Sequence, residues 1–134
     1  SAAALKELEE LTSEEVNKFV SGIDLDENPL TVALSTKEDI DAAVEIIDGM
    51  IARAAKLVAG NLASVILRTG KAKTSEKPVL MTIEGTTFYK LKNFQKMFEE
   101  FLQEFLSGKN KRYYEIVEVE NSSLLGAAIA AIVN

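Results

Sequence analysis

Residues 113–134 read YYEIVEVENSSLLGAAIAAIVN, and this stretch decides the fold class. Its first part, residues 114–119, is centred on Ile116 and Val117 and predicts a buried strand. Residues 120–123 then predict a turn. Ser122 or Ser123 can cap the helix that follows, because a short side-chain oxygen accepts from the unpaired N–H groups of a first helical turn.

This terminal helix consists almost entirely of small apolar residues, and two interpretations of it stay open. In the first, it is a capped core helix and nothing more. In the second, its N-terminus faces a ligand, because ligands of open α/β sheets collect where strands end and where helix dipoles favour an anion.

The composition bounds the size and the chemistry of the protein. The chain has 134 residues, of which 47% are hydrophobic, and this is enough for one domain with a core. It contains no cysteine, which excludes disulfides and thiolate metal sites and suits a cytoplasmic location. It also contains no histidine, the commonest general base and metal ligand. We therefore expect no metal site in this chain.

The charge balance argues against a nucleic-acid partner. The formal net charge is −6, from 15 basic and 21 acidic residues, and no basic stripe is interleaved with aromatic residues. Phosphate neutralisation supplies most of the affinity for nucleic acid, so that partner is not expected. The longest apolar run, residues 124–133, is shorter than the roughly 20 residues that span a bilayer, and we expect no membrane partner either.

The longest periodic segment lies at residues 36–68, behind a capping-box pattern and before Gly70. It predicts one helix of roughly 50 Å, since each residue adds about 1.5 Å. Gly49 and Gly60 each weaken such a helix by about 1 kcal/mol relative to alanine, so we expect another backbone close beside them. The apolar residues of one face are Ile40, Val44, Ile47, Ile51, Val58, Leu62 and Val65.

The residues before this helix carry weaker patterns. Residues 4–21 predict two short helices, of which the second starts at a capping-box pattern in residues 12–15 and ends at Gly22. Residues 22–34 contain Asn28 and Pro29 and predict a loop, in which residues 30–34 pair briefly as a strand.

A strand–helix–strand unit follows the long helix. Residues 79–83 predict a buried strand, and residues 88–106 predict a phenylalanine-rich helix that covers one face of the sheet. Two strands joined by a crossover helix are parallel, and the crossover is right-handed. The fold class is therefore α/β, and we expect the long helix to pack over both strands.

Two strands form too small a sheet for this number of helices, because parallel strands are normally buried between helices on both faces. We infer that further strands come from a larger domain or from a partner chain. An unpaired edge at residues 79–83, or the helix face with Val44, Ile47 and Ile51, would then mediate self-association. In the alternative, residues 4–11 fold back over that surface and leave a monomer.

Four stretches resemble the hexokinase family and occur in the family's order. Residues 51–66 (IARAAKLVAGNLASVI) resemble its long helix, and residues 83–88 (IEGTTF) resemble its Val-Asp-Gly-Ser-x-Tyr strand and turn, with Phe94 at a family aromatic position. Residues 119–128 (VENSSLLGAA) are similar to its terminal Glu-Asp-Gly-Ser-Gly-x-Gly-Ala-Ala segment. Residues 18–21 (KFVS), with Ile23, resemble its Phe-Val-Ser segment.

The resemblance implies an actin-like, ribonuclease-H-like fold, of which residues 1–134 form the C-terminal part of the large lobe. Residues 1–34 would supply helices and a loop, and residues 35–134 the long helix and the βαβα unit. The family transfers a phosphoryl group from MgATP to the 6-hydroxyl of a hexose. No catalytic residue falls within this chain by resemblance, so the chain alone should be inactive.

The resemblance also implies a set of nucleotide-binding residues. Asn17 and Ser21 would face the ATP phosphates or ribose, and Ser122 and Ser123 would lie against the adenosine. Each has a structural alternative: Asn17 is a surface residue, and Ser21 satisfies carbonyls at a helix end. Ser122 and Leu124 replace family glycines, where backbone approaches a ligand closely. That difference keeps a second function open, a hexokinase-like, non-catalytic sugar- or nucleotide-binding or regulatory protein.

Overall fold

The computed structural model describes residue 8, residues 10–118 and residues 122–133. The helix predicted at residues 4–11 falls largely outside this part, as do residues 120 and 121 of the turn predicted at residues 120–123. Residues 122 and 123 of that turn lie in a helix. The described elements are, in order, α1 (Ser13–Ser21), α2 (Pro29–Ala33), α3 (Lys37–Thr69), β1 (Val79–Thr82), α4 (Thr86–Lys90), α5 (Phe94–Phe105), β2 (Tyr114–Val117) and α6 (Ser122–Val133), with short 3₁₀ turns at Leu25–Glu27 and Gly108–Asn110.

Helix α1 begins and ends as its local sequence predicts. The Glu15 backbone N–H donates to the Thr12 hydroxyl at 3.2 Å, and the Glu15 carboxylate accepts from the Thr12 backbone N–H at 2.8 Å. The hydrogen bonds that the Thr12 backbone N–H and hydroxyl donate to the Glu15 carboxylate hold the pKa of Glu15 below its usual value. The helix ends at Gly22, whose φ of 71° is the left-handed conformation that glycine adopts without strain. The capping box is confirmed.

Helix α3 confirms the long helix predicted at residues 36–68. The Thr36 hydroxyl accepts from the Asp39 backbone N–H at 3.1 Å, and Gly70 ends the helix at a φ of 66°. By length and composition alone, α3 is also apolar enough to cross a membrane. Core helices of water-soluble proteins meet the same criterion, and α3 contributes five buried residues to the core: Ile51, Ala55, Ala59, Ala63 and Ile66.

The two described strands pair side by side and in parallel, as predicted. Their register runs from Val79 opposite Tyr114 to Thr82 opposite Val117. In the described part of the chain the sheet has these two strands alone. The α/β class is therefore confirmed.

Two predictions of local structure are wrong. Residues 88–106 do not form one helix, because the chain breaks between α4 and α5 at Asn93, where φ is 57°. Residues 30–34 do not form a strand but lie mostly in α2. The Asn28 side chain accepts from the Leu30 backbone N–H at 3.0 Å, and Pro29 occupies the first helical position, where its missing N–H costs nothing.

The core lies between α3 and α5. Phe98 and Leu102 of α5 are fully buried, and they belong to the same core as the alanines of α3 and Met81 of β1. The backbone of α3 lies closest to α5, whereas the sequence predicted that it would lie over both strands.

Alanine, and not glycine, makes this close approach possible. Ala55 and Ala59 have no exposed surface. A methyl group placed on Gly60 would lie 3.6 Å from Phe105 Cε2, an ordinary contact, and one placed on Gly49 would meet nothing within 4 Å. The expectation that another backbone passes close to both glycines is therefore wrong.

A large apolar surface stays uncovered in the described chain. Ile51 is buried and Val44 and Ile47 are partly buried, so the face expected to mediate association covers the core. A neighbouring face of α3, which we call the α3 stripe, is exposed instead. The α3 stripe consists of Ile46, Met50, Leu57, Val58 and Val65.

The terminal helix α6 is exposed as well. Leu124 is 71% exposed and Ile132 is 84% exposed, so the prediction of a core helix is wrong for this part of the chain. Leu80 of β1 is 64% exposed. The sheet and two helices therefore all present apolar side chains to solvent.

The two glycines inside α3 lead to a stability prediction. Gly49→Ala and Gly60→Ala should each stabilise the protein by about 0.5–1 kcal/mol, because the helix loses less backbone entropy and neither methyl group meets a clash. Urea unfolding measures the change. The control is Gly70→Ala, which should destabilise the protein because φ is positive there. Destabilisation by Gly49→Ala would contradict the prediction.

The uncovered apolar surface predicts self-association, since large apolar patches rarely remain solvated. The chain should associate in sedimentation equilibrium across a hundredfold range of concentration. Leu57→Glu, in the α3 stripe, should weaken the association more than Val32→Glu, which places the same charge on an exposed residue outside the stripe. A strictly monomeric wild-type chain would disprove the prediction.

Candidate functional site

The carboxyl ends of both strands meet at one edge of the sheet, because the strands are parallel. Beyond this edge β1 leads into α4, which starts at Thr86, and β2 leads toward α6, which starts at Ser122. Ligands of open α/β sheets lie at such an edge, near helix N-termini. The side chains of Ser122 and Ser123 lie outside the described part of the structure, so their contact with adenosine stays a prediction.

A cleft of about 380 Å³ lies between α1 and α4. One wall comes from α1 and the turn that follows it, and the other comes from α4 and the residue after it. The lining residues are Ser13, Glu14, Asn17, Lys18 and Ile23 on one side, and Thr86, Thr87, Lys90 and Leu91 on the other. Hydroxyl, amide and ammonium groups suit phosphate or ribose oxygens, and the two aliphatic side chains suit a base.

Asn17 is the one residue of the four predicted that lines this cleft, among the residues that the structure describes. Its Nδ2 donates to the Lys90 carbonyl at 2.9 Å, and its Oδ1 accepts from the Lys92 backbone N–H at 2.7 Å. The amide therefore ties α1 to the segment after α4. One amide hydrogen and one oxygen lone pair are left for a ligand.

Lys92 strengthens the same junction, although no sequence pattern predicted its role. Its Nζ donates to the Val20 carbonyl at 2.6 Å and forms an ion pair with Asp48 of α3 at 3.1 Å. Lys92 thus joins the end of α1, the middle of α3 and the break between α4 and α5. No local pattern marks such a residue, because its partners are 44 and 72 residues away.

Ser21 is exposed at the end of α1 and is not among the residues lining the cleft. The structural alternative, in which the Ser21 side chain satisfies carbonyls at the helix end, is also not seen, because backbone N–H groups satisfy those carbonyls. The Gly22 N–H donates to the Phe19 carbonyl at 3.2 Å, and the Ile23 N–H donates to the Lys18 carbonyl at 2.9 Å. The structure therefore brings Asn17, but not Ser21, to the wall of the cleft.

The two lysines of the cleft differ in their electrostatic surroundings. Lys18 pairs with Asp24 and with Glu14, each at 3.3 Å. These carboxylates hold the pKa of Lys18 above its usual value, Asp24 contributing most, and they balance its charge. Lys90 has no acidic partner within 4 Å in the described part of the chain. Its exposed ammonium is therefore better placed to attract an anion.

A family model for hexokinase matches residues 2–133, which is almost the whole chain. No curated protein matches the chain, and no solved structure matches it. The matched region contains all four predicted nucleotide-binding residues and both walls of the cleft. It assigns no role to any one of them.

The contacts of Asn17 lead to a stability prediction. Asn17→Ala should destabilise the protein by about 1–2 kcal/mol, because it removes both hydrogen bonds to residues 90–92 and leaves their backbone groups unpaired. Ser21→Ala, the matched control, should change the free energy of unfolding by less than about 0.5 kcal/mol. Urea unfolding of both variants checks this, and equal effects would refute the role of Asn17.

Proposed function

This chain belongs to the hexokinase family, and we propose that it forms the nucleotide side of an ATP-dependent hexose kinase. Such an enzyme transfers a phosphoryl group from MgATP to the 6-hydroxyl of a hexose. In this proposal the chain is the C-terminal part of a ribonuclease-H-like large lobe in the cytoplasm and contributes part of the adenosine site. The family match over residues 2–133 carries the proposal.

The cleft between α1 and α4 supports nucleotide binding by its chemistry. Lys90 supplies a positive charge, and Thr86 and Thr87 supply hydroxyl groups beside it. Ile23 and Leu91 add apolar surface for a base. The remaining donor and acceptor of Asn17 lie at the same wall. These groups fit a ligand that combines phosphate, ribose and a flat ring.

The proposed contribution of this chain to catalysis is positioning. Phosphoryl transfer depends chiefly on holding the reactants in line and on stabilising the charge of the transferred group. A magnesium ion bound with ATP would neutralise part of that charge. The described residues hold no cluster of three acidic side chains that could bind the ion. We therefore assign the magnesium ligands and the general base to other parts of the kinase.

The sheet supports the place of the chain within a larger lobe. Among the residues that the structure describes, no strand pairs with the outer edge of β1, and the α3 stripe and α6 present apolar side chains to solvent. Additional strands beside β1, with their own helices, would cover these surfaces. The hexokinase resemblance supplies such strands from an upstream part of the same lobe.

One observation favours a non-catalytic relative that binds a sugar or a nucleotide, or acts as a regulator. Leu124 stands where the resembling family segment has glycine, and its side chain is 71% exposed near the start of α6. A side chain at this point leaves less space for a ligand. The two functions differ in their expected results: the kinase binds a nucleotide and the complete protein phosphorylates a hexose, whereas the non-catalytic relative phosphorylates none.

We expect the chain to bind an ATP analogue that resists hydrolysis, measured by titration calorimetry in the presence of magnesium. Lys90→Glu should weaken this binding at least tenfold, because it reverses the charge that faces the phosphates. Lys73→Glu makes the same change in the exposed connector between α3 and β1, and should alter the dissociation constant less than twofold.

The same preparation should not phosphorylate glucose in a coupled assay, because we assign the general base of the reaction to other parts of the kinase. Turnover that stays proportional to the chain through repurification would refute that assignment. Absence of analogue binding, or equal effects of Lys90→Glu and Lys73→Glu, would refute the nucleotide cleft.

A further inference from the structure

A groove runs along the outer edge of β2, with α5 as its opposite wall. It consists of three adjoining depressions of about 360, 420 and 390 Å³, all of which Tyr114 lines. The first and second share Glu99, and the second and third share Gln103. We call this continuous surface the β2–α5 groove. No residue of β1 lines it, so we place it on the side of β2 away from β1.

The backbone at this edge is ready to pair with another strand. The Val79 N–H donates to the Tyr113 carbonyl at 3.0 Å, and Val79 lies opposite Tyr114. In this parallel register the N–H and C=O groups of Tyr114 and Ile116 point away from β1. These groups have no hydrogen-bond partner in the described part of the chain. An unpaired edge of this kind is a template for strand addition.

The end of the β2–α5 groove near the carboxyl end of β2 is acidic. Glu99 and Glu118 both line it. The pKa of Tyr89 is raised chiefly by burial and to a smaller extent by the nearby Glu118 carboxylate. The pKa of Tyr114 is raised in the same way, chiefly by burial and to a smaller extent by Glu99. Both carboxylates thus act on the tyrosines of the groove and would attract basic side chains.

The opposite end of the groove is basic. Lys111 and Arg112 line it beside Tyr113. The Arg112 Nη1 donates to the Lys111 carbonyl at 2.7 Å, whereas its buried Nε has no hydrogen-bond partner in the described part of the structure. The Nε has no accessible surface, so a ligand would meet the Nη groups of Arg112, whose remaining N–H donors suit a carboxylate.

We propose that the β2–α5 groove binds an extended peptide segment of another protein, which adds to β2 as a third strand. The segment carries basic side chains in its first half, over Glu99 and Glu118, and a carboxylate at its other end, over Arg112. This order of charges makes it run antiparallel to β2. Residues 112–118 span about 20 Å, which corresponds to a partner of about seven residues.

Main-chain hydrogen bonds would supply the affinity, and the groove side chains the specificity. The partly buried side chains of Tyr114 and Ile116 offer apolar contact between the two charged ends. Along the opposite wall α5 offers the amides of Gln95 and Gln103, and it also carries Lys96 and Glu100, whose opposite charges balance between the two ends. The charged ends select the direction, because a reversed segment would place like charges together.

The probe for the test is a fluorescein-labelled peptide, Arg-Thr-Arg-Val-Thr-Val-Glu, with a free C-terminal carboxylate. Anisotropy titration should show saturable binding with a Kd below about 100 µM. The charge-reversed, amidated peptide Glu-Thr-Glu-Val-Thr-Val-Arg should bind at least tenfold more weakly. Two further peptides carry N-methyl groups at alternate residues, one at the odd and one at the even positions. The peptide whose methyl groups face β2 should lose binding, and the other should keep it.

Two protein variants test the acidic end. Glu99→Lys should weaken binding of the first peptide at least tenfold. The control is Glu104→Lys, because Glu104 is exposed on the same helix and is not among the residues lining the groove. This variant should leave Kd within twofold of the wild-type value. Absence of saturable binding up to about 1 mM, equal binding of both N-methylated phases, or equal effects of the two variants would overturn the proposal. The methylated peptides leave the protein unchanged, so that arm does not depend on the folding of a variant.

Discussion

The packing of α5 against the alanine face of α3 is the interaction on which the rest of the structure depends. Phe98 and Leu102 have no exposed surface, and the same is true of Ala55 and Ala59. Alanine side chains let a helix approach closely, so the large side chains of α5 fill the space that longer residues on α3 would occupy. Because α5 lies within the crossover between β1 and β2, this contact also positions the strands.

Both proposed binding surfaces lie beside α5. The segment before it carries Lys92, which joins α1 to α3 and so shapes one wall of the cleft between α1 and α4. The strand after it carries Tyr114, which faces α5 across the β2–α5 groove. A change in the packing of Phe98 would therefore displace both surfaces together, whereas a change at either surface leaves the helix contact intact.

The sequence predicted the elements whose signals are local. The capping box at Thr12, the long helix and the parallel strands follow from capping, periodicity and the crossover rule. It did not predict the break at Asn93, because the apolar period of α5 continues back through α4. Of the residues that line the cleft, the resemblance had named Asn17, whose contact with a nucleotide stays a prediction. Lys92 was not found, because its role depends on contacts between distant parts of the chain.

The exposure of α6 was not predicted for the same reason, because it depends on contacts with other parts of the protein. Apolar composition indicates that a helix must be covered, but it does not say by what, and a sheet of two strands presents little surface. Leu124 and Ile132 are exposed for this reason, as is Leu80 on β1. These side chains belong to two separate elements, α6 and β1, so one missing contact does not account for them. Further strands beside β1, together with their own helices, would cover both elements, and the proposed larger lobe would supply them.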